Sequence, residues 1–268
     1  MNYFNAALLG GLQGLTEFLP ISSTAHLLIA GQLLGFSDPG DVFKVMIQLG
    51  SILAIVWLYR ARLIALVRNL PEDERARRFV LGLALALVPI ALVGGLGRSF
   101  VTEVLYGSTW VVAVAFIVGG VVMLVVERQR PLPTVATVEE TSMPRALGIG
   151  LCQALAVVPG VSRSGATIVG GMVMGLNRTA AAEFSFFLAI PTMFAAFARD
   201  LFSLRGALWS AQTAEIAIGF LAAFFASLLV VAPFLRLVGR VGFKPFAWYR
   251  IAAGAAMLVA LAGGWNLG

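Results

Sequence analysis

The chain has one cysteine, Cys152, so an internal disulfide is excluded and the composition carries no mark of redox compartment. Charge is also scarce. Only 12% of residues are charged against 60% hydrophobic, and the mean hydropathy of +0.94 is far outside the range of soluble domains. No hydrophilic stretch is long enough to fold as a separate soluble domain. The strict apolar–polar alternation of an outer-membrane barrel is missing as well. Residues 1–14 contain no Lys or Arg, so the basic start of a cleaved signal peptide is lacking and the first segment is expected to belong to the mature fold. A Walker loop, a GxGxxG after a strand, HExxH and clustered cysteines are all absent, which removes the motifs for nucleotide hydrolysis and for a cysteine zinc site.

What is abundant is apolar sequence in runs of helical length. Because about 20 residues cross the hydrocarbon as a helix, the 268 residues read as an all-α integral membrane protein forming one compact bundle. Full spans are expected near 42–59, 79–97, 109–126, 182–203, 213–235 and 247–264, six in all. Residues 6–36 and 146–176 differ: their flanks are apolar, but LPISSTAH and VPGVSRSGAT break them centrally. There Pro and Gly end a helix, and Ser or Thr can cap a new one. Each half, at roughly 10 to 14 residues, is too short to cross. Both segments are therefore expected to be re-entrant hairpins with a polar loop near mid-membrane.

A net charge of +6 and a pI near 10.2 would suggest nucleic acid in a soluble chain, but in a membrane protein they report topology, and no nucleic-acid partner is expected. If both hairpins return to their own side, segments 60–78, 127–145, 177–181 and 236–246 share one side. They hold Arg60, Arg62, Arg68, Arg75, Arg77, Arg78, Arg128, Arg130, Arg145, Arg178, Arg236, Arg240 and Lys244, whereas the opposite side holds Lys44, Arg98, Arg199 and Arg205. Thirteen against four places the first group in the cytoplasm and both termini outside. Cysteines introduced at positions 68 and 130 should then label from the cytoplasm, and one at 105 from outside. Arg163, inside the second hairpin loop, and Arg250, inside the last span, stand apart from this tally.

The two hairpins resemble each other at an offset of 140: Gln13 meets Gln153, Leu15 meets Leu155, Ser22 meets Ser162, Gly31 meets Gly171 and Gly35 meets Gly175. Each copy is followed by three spans, an odd number, so residues 1–126 and 146–268 are expected to form an inverted-topology repeat with its broken helices facing each other near the midplane. The Gly31/Gly35 and Gly171/Gly175 pairs would permit close backbone contact there.

Polar groups within the bilayer are costly and usually mark function. Gln13 and Glu17 are four apart and share a helix face toward the first loop. His26, the single histidine, follows Ser23 by three residues, close enough for both to point at one ligand. Ser22, Ser23 and Thr24 can cap a helix and still serve an anion, because helix N-termini offer free amides and a positive dipole end. The second loop repeats the device with Ser162, Ser164 and Thr167 around Arg163. Arg163 wants an anion, and the plainer reading for it is an intramembrane ion pair with Glu17. Two helix starts, a guanidinium fork and several hydroxyls suit phosphate. The plainer readings stay open: Glu17 as a structural carboxylate, His26 as a core histidine, and Glu183 as a helix-start acid. Residues 71–75 read as a solvated loop.

QGLTEFLPISSTAH and PGVSRSGAT, with IQLGSILA at 47–54 and EFSFFLAIP further on, resemble the bacterial undecaprenyl-diphosphate phosphatases, also called bacitracin-resistance proteins. The resemblance covers essentially the whole chain. It implies six spans plus two re-entrant hairpins, and removal of the terminal phosphate from undecaprenyl diphosphate at the outer face of the bacterial inner membrane. By position it makes Glu17, Ser23, His26 and Arg163 the catalytic residues, and the loops read above add Gln13, Ser22, Thr24, Ser162, Ser164 and Thr167 as the groups expected around the substrate. It also implies a divalent cation, Mg or Ca, with Glu17 as its ligand. Gln13 stands where that family often has glutamate, and an amide cannot act as a general base. The expected partners are a polyisoprenyl diphosphate, the bilayer and a second copy of the chain in a homodimer. The attacking group stays open among Ser23, His26 and water. A transporter or lipid flippase is the alternative of another class, since inverted repeats with broken helices also build transporters.

Overall fold

The computed structural model describes residues 2–36, 38, 41–96, 108–129, 132–203 and 213–264, and among them it is helical with no strand. Arg98, Arg130 and Arg205 of the charge tally, with position 105, lie outside the described residues. Five helices are long and apolar enough to cross a membrane: α5 (Glu74–Leu96), α6 (Thr109–Gln129), α9 (Arg178–Ser203), α10 (Thr213–Val241) and α11 (Lys244–Ala262). A sixth forms when α3 (Val42–Leu58) is taken with α4 (Arg60–Asn69), to which it joins at a 68° bend. All six expected spans are thus helical. Several helices run a turn or more past the expected ends and carry basic residues, among them Arg75, Arg77 and Arg78 at the start of α5. The exception is α4, which lies within 60–78, the segment read as a cytoplasmic connection. No α4 residue is fully buried, and only Leu63 and Leu66 pack on the core.

Four shorter helices form two pairs: α1 (Tyr3–Thr16) with α2 (Ser23–Leu33), and α7 (Met143–Ala154) with α8 (Arg163–Val173). At about 1.5 Å per residue, none of them reaches across a ~30 Å hydrocarbon core. Asn2 caps α1 by accepting a hydrogen bond from the Asn5 amide at 2.8 Å. The second helix of each pair starts at a serine with positive φ, Ser22 at 64° and Ser162 at 72°, and these two occupy equivalent positions at the offset of 140. Gly35 and Gly175 correct the expectation of close packing. They end α2 and α8 with φ of +59° and +89°, the Gly35 and Gly175 amides bond to Gln32 and Met172, and the next amides bond to Gly31 and Gly171. This is the Schellman termination, which requires the left-handed conformation that glycine enters freely. The closest backbone contacts include α1–α10 and α7–α5, where a Cβ on Gly10, Gly14 or Gly150 would run into the Gly219, Ala223 or Ala86 carbonyl, while Gly171 packs on Ala181 of α9.

The remaining packing comes in recognisable pairs. α1 lies against α10, and α7 against α5; α3 lies against α10, and α9 against α5; α6 meets α11, and α3 meets α9. Phe18, in the first broken loop, reaches the central core and meets Phe186 edge-on at 5.5 Å. At one end of the bundle the arginine-rich termini are tied together. Arg62 bridges Glu139 at 2.6 Å and Glu183 at 3.1 Å, and Tyr59 donates to Glu183. Arg178 pairs with buried Glu127, which also accepts from the Phe243 amide.

Candidate active site

The two broken loops meet around one cavity of about 180 Å³. Its polar wall consists of Glu17, Ser22, Ser23, Thr24, Ser162 and Arg163, and its apolar wall includes Val45, Leu49 and Ile52 from α3 with Met193, Ala196 and Phe197 from α9. The volume accommodates a headgroup but not a polyprenyl chain.

Glu17 is the centre of the polar wall. Ser23 Oγ donates to its Oε2 at 2.5 Å and Gln13 Nε2 to the same oxygen at 2.9 Å, while Arg163 Nη2 lies 3.3 Å from Oε1. Residues four positions before Glu17 and 146 positions after it thus meet on its carboxylate, and the Glu17–Arg163 ion pair is present. Arg163 also donates from Nη1 to the Ser185 carbonyl at 3.2 Å, but its buried Nε has no partner. Ser162 Oγ accepts from the Gly165 amide at 3.1 Å, which caps α8. Ser164 Oγ donates to the Leu19 carbonyl at 2.7 Å and so ties the second loop to the first. Thr167, fully buried, donates to Arg163 and Ser164 carbonyls and reaches Ser185 Oγ at 2.7 Å. No side chain caps α2, which leaves its first-turn amides near the cavity without an intrahelical acceptor.

The predicted residues therefore fall into three groups. Glu17, Ser22, Ser23, Thr24, Ser162 and Arg163 line the cavity. Gln13, Ser164 and Thr167 stand behind them and hold them in place. His26 faces away: its Nδ1 donates to the Ser22 carbonyl at 2.7 Å, so Nε2 accepts from Tyr249 Oη at 2.5 Å, and the ring borders a separate apolar groove with Phe116, Tyr249 and Met257. It does not point at the ligand site it was expected to share with Ser23, because the hydrogen bond back to Ser22 turns the ring toward α11. Gln48 and Thr192 line the cavity without having been singled out from sequence. Each is one polar residue among several in its span, Gln48 beside Lys44 and Ser51 and Thr192 beside Glu183 and Ser185, so only its three-dimensional neighbours set it apart.

No three His, Cys, Asp or Glu among the described residues gather as a metal site. One arrangement nevertheless suits a hard cation brought by a phosphate ligand. Glu17 lines the cavity with a carboxylate of the type Mg²⁺ or Ca²⁺ prefers, whereas Gln13 turns its amide nitrogen to that carboxylate and stands behind the wall.

An α-helical, multi-pass membrane protein with paired broken helices around a hydroxyl- and guanidinium-lined anion cavity is the class this geometry defines. Within it, the chain belongs to the family described as bacitracin resistance protein BacA, whose model matches residues 6–256. A relative from Paracoccus denitrificans named undecaprenyl-diphosphatase is 49% identical over 264 residues, covering 98% of this chain and 99% of that protein. One from Agrobacterium fabrum, named undecaprenyl-diphosphatase 1, is 49% identical over 96% of each chain, and one from Cereibacter sphaeroides, named undecaprenyl-diphosphatase, is 48% identical over 97% of each.

Proposed function

We propose that the chain hydrolyses undecaprenyl diphosphate to undecaprenyl phosphate and inorganic phosphate. Full-length identity of 48–49% to proteins named for that activity supports the reaction. The observation that carries the mechanism is the 2.5 Å contact of Ser23 Oγ with Glu17 inside a cavity that also holds Arg163. Arg163, the free amides opening α2 and the Ser162 side hold the diphosphate and offset the charge developing on the phosphoryl oxygens. Glu17 takes the Ser23 proton as Oγ attacks the terminal phosphorus. The bond from that phosphorus to the bridging oxygen breaks, undecaprenyl phosphate leaves, and the proton passes to a leaving phosphate oxygen. Glu17 then takes a proton from a water that attacks the phosphoserine; the bond from phosphorus to Oγ breaks, phosphate leaves, and Glu17 returns the proton to Ser23 Oγ. His26, outside the cavity, orients the Ser22 carbonyl rather than attacking.

A divalent cation, when bound through Glu17, would supply neutralisation of the diphosphate charge. Chelation of the purified protein in detergent is expected to depress phosphate release from undecaprenyl diphosphate, and added Mg²⁺ or Ca²⁺ to restore it. Full release in excess chelator would remove the cation from the reading. A protein that only moved lipid would release no phosphate under either condition.

The inverted repeat and sidedness are part of the same reading. The helix contacts support the repeat because exchanging α1, α2, α3, α5 and α6 for α7, α8, α9, α10 and α11 carries α1–α10 onto α7–α5 and α3–α10 onto α9–α5. The cavity uses Val45 and Gln48 near the start of α3 and Ala196 and Phe197 toward the end of α9, the ends remote from the arginine cluster. By the positive-inside bias it opens to the periplasmic side of the inner membrane. In a Cys152→Ser background, Arg68→Cys should label only after an impermeant reagent reaches the cytoplasm, and Lys44→Cys from outside intact cells. Labelling of both from one side would remove the topology.

A further inference from the structure

Arg250, in the middle of α11, is 1% exposed and has no carboxylate partner among the described residues. Its guanidinium spends all its donors on backbone carbonyls. Nη1 donates to Pro20 at 3.2 Å and Val161 at 2.9 Å, Nη2 to Gly160 at 2.9 Å and Ala115 at 3.0 Å, and Nε to Phe116 at 3.3 Å. Five N–H donors meet five carbonyls, which is full use of the planar fork and beyond the three donors of a lysine.

The identity of those carbonyls points to a role. Pro20 stands two residues before Ser22, and Gly160 and Val161 immediately precede Ser162, so one side chain grips both loops just ahead of their positive-φ serines. α6 is shaped to admit it: a Cβ on Gly119 would collide with Nη2 and sit 2.8 Å from Cζ. A Cβ on Gly165, in the first turn of α8, would lie 3.2 Å from Nη1. An apolar bundle has cheaper ways to pack α11 on α6 than a buried cation, because charge within the bilayer is costly. Conformations such as those of Ser22 and Ser162 also persist only when the surroundings hold them.

On the assignment of the cavity above, we propose that Arg250 is a positioning residue for phosphoryl transfer. It clamps both serine loops through their carbonyls and so fixes Ser23 and the Glu17 carboxylate relative to Arg163. It touches neither substrate nor reacting atoms. Loosening the clamp should therefore lower kcat and leave KM near its parent value, because a small misplacement of reacting groups is felt most in the transition state.

The test compares Arg250→Lys, Gly119→Ala and the double variant, with phosphate release from undecaprenyl diphosphate and thermal unfolding measured on the same detergent-purified samples. Arg250→Lys is expected to lower kcat by about tenfold to a hundredfold per folded molecule. Gly119→Ala, which keeps the charge but displaces the fork, should fall in the same direction. The double variant should be no slower than Arg250→Lys, since both act on one clamp. A kcat that falls only with the folded fraction, independent multiplying losses, a rise in KM alone, or failure of both single variants to fold would each overturn the proposal. Ser23→Ala measured alongside separates the two failures. If it stays active, the cavity is wrongly assigned; if it is inactive while Arg250→Lys is normal, only the clamp falls.

Discussion

Ser23→Ala is expected to abolish turnover, with a fall in kcat on the order of 10⁴-fold or more, as when the nucleophile of a hydrolase is removed. Two features set this size. Ser23 Oγ is the hydroxyl in hydrogen-bond contact with the Glu17 carboxylate, and its cavity is the one that holds Arg163. Alanine leaves the carboxylate, the arginine and the helix start in place, so binding of the diphosphate should persist while the attack is lost. Quenching the parent enzyme during turnover of terminally labelled substrate should leave an acid-stable phosphate on Ser23. An acid-labile label that disappears in His26→Ala would move the attack to histidine. No label, with solvent oxygen entering phosphate in a single turnover, would move it to water.

Arg163→Lys should be the next most damaging change, with activity falling by about 10²- to 10³-fold although the charge is kept. The guanidinium reaches Glu17 with Nη2 and the Ser185 carbonyl with Nη1 while its Nε is buried without a partner. That free N–H is a donor awaiting an acceptor, since a buried unpaired group costs about 1–3 kcal/mol. A bound phosphoryl oxygen would satisfy it. Lysine offers a point charge in place of the planar fork and cannot span the same positions. Near-normal kcat in Arg163→Lys would show that the residue serves only to neutralise Glu17.

The spans were legible because a helix that crosses lipid must be apolar for its full length, and little else in a sequence imitates that. The breaks at 17–22 and 155–162 were legible for the converse reason: proline, glycine and hydroxyls inside such runs have no cheap alternative explanation. Glu17, Ser23 and Arg163 followed from the same contrast. The direction of His26 was not legible because its ring is turned by a backbone carbonyl, that of Ser22, and received by Tyr249, which lies 223 residues away. Arg250 was visible as a charge within the last span, but its partners are carbonyls, which every residue has and no sequence displays. The α4 helix stayed hidden because its arginines resemble solvated loop and only Leu63 and Leu66, both partly buried, pack on the core, too short a stripe to betray a period.

The cavity admits a headgroup between α3 and α9 and has no room for the chain attached to it. A substrate anchored in this way never becomes a free solute. Its supply is set by how many such lipids share a given area of leaflet and by lateral diffusion, so the quantity that saturates the enzyme is a mole fraction in the membrane and not a concentration in the surrounding water. Diluting the lipid with inert bilayer or detergent should slow the enzyme even when the bulk amount of substrate is unchanged, whereas the phosphate it releases departs into three dimensions and is lost to the surface at once.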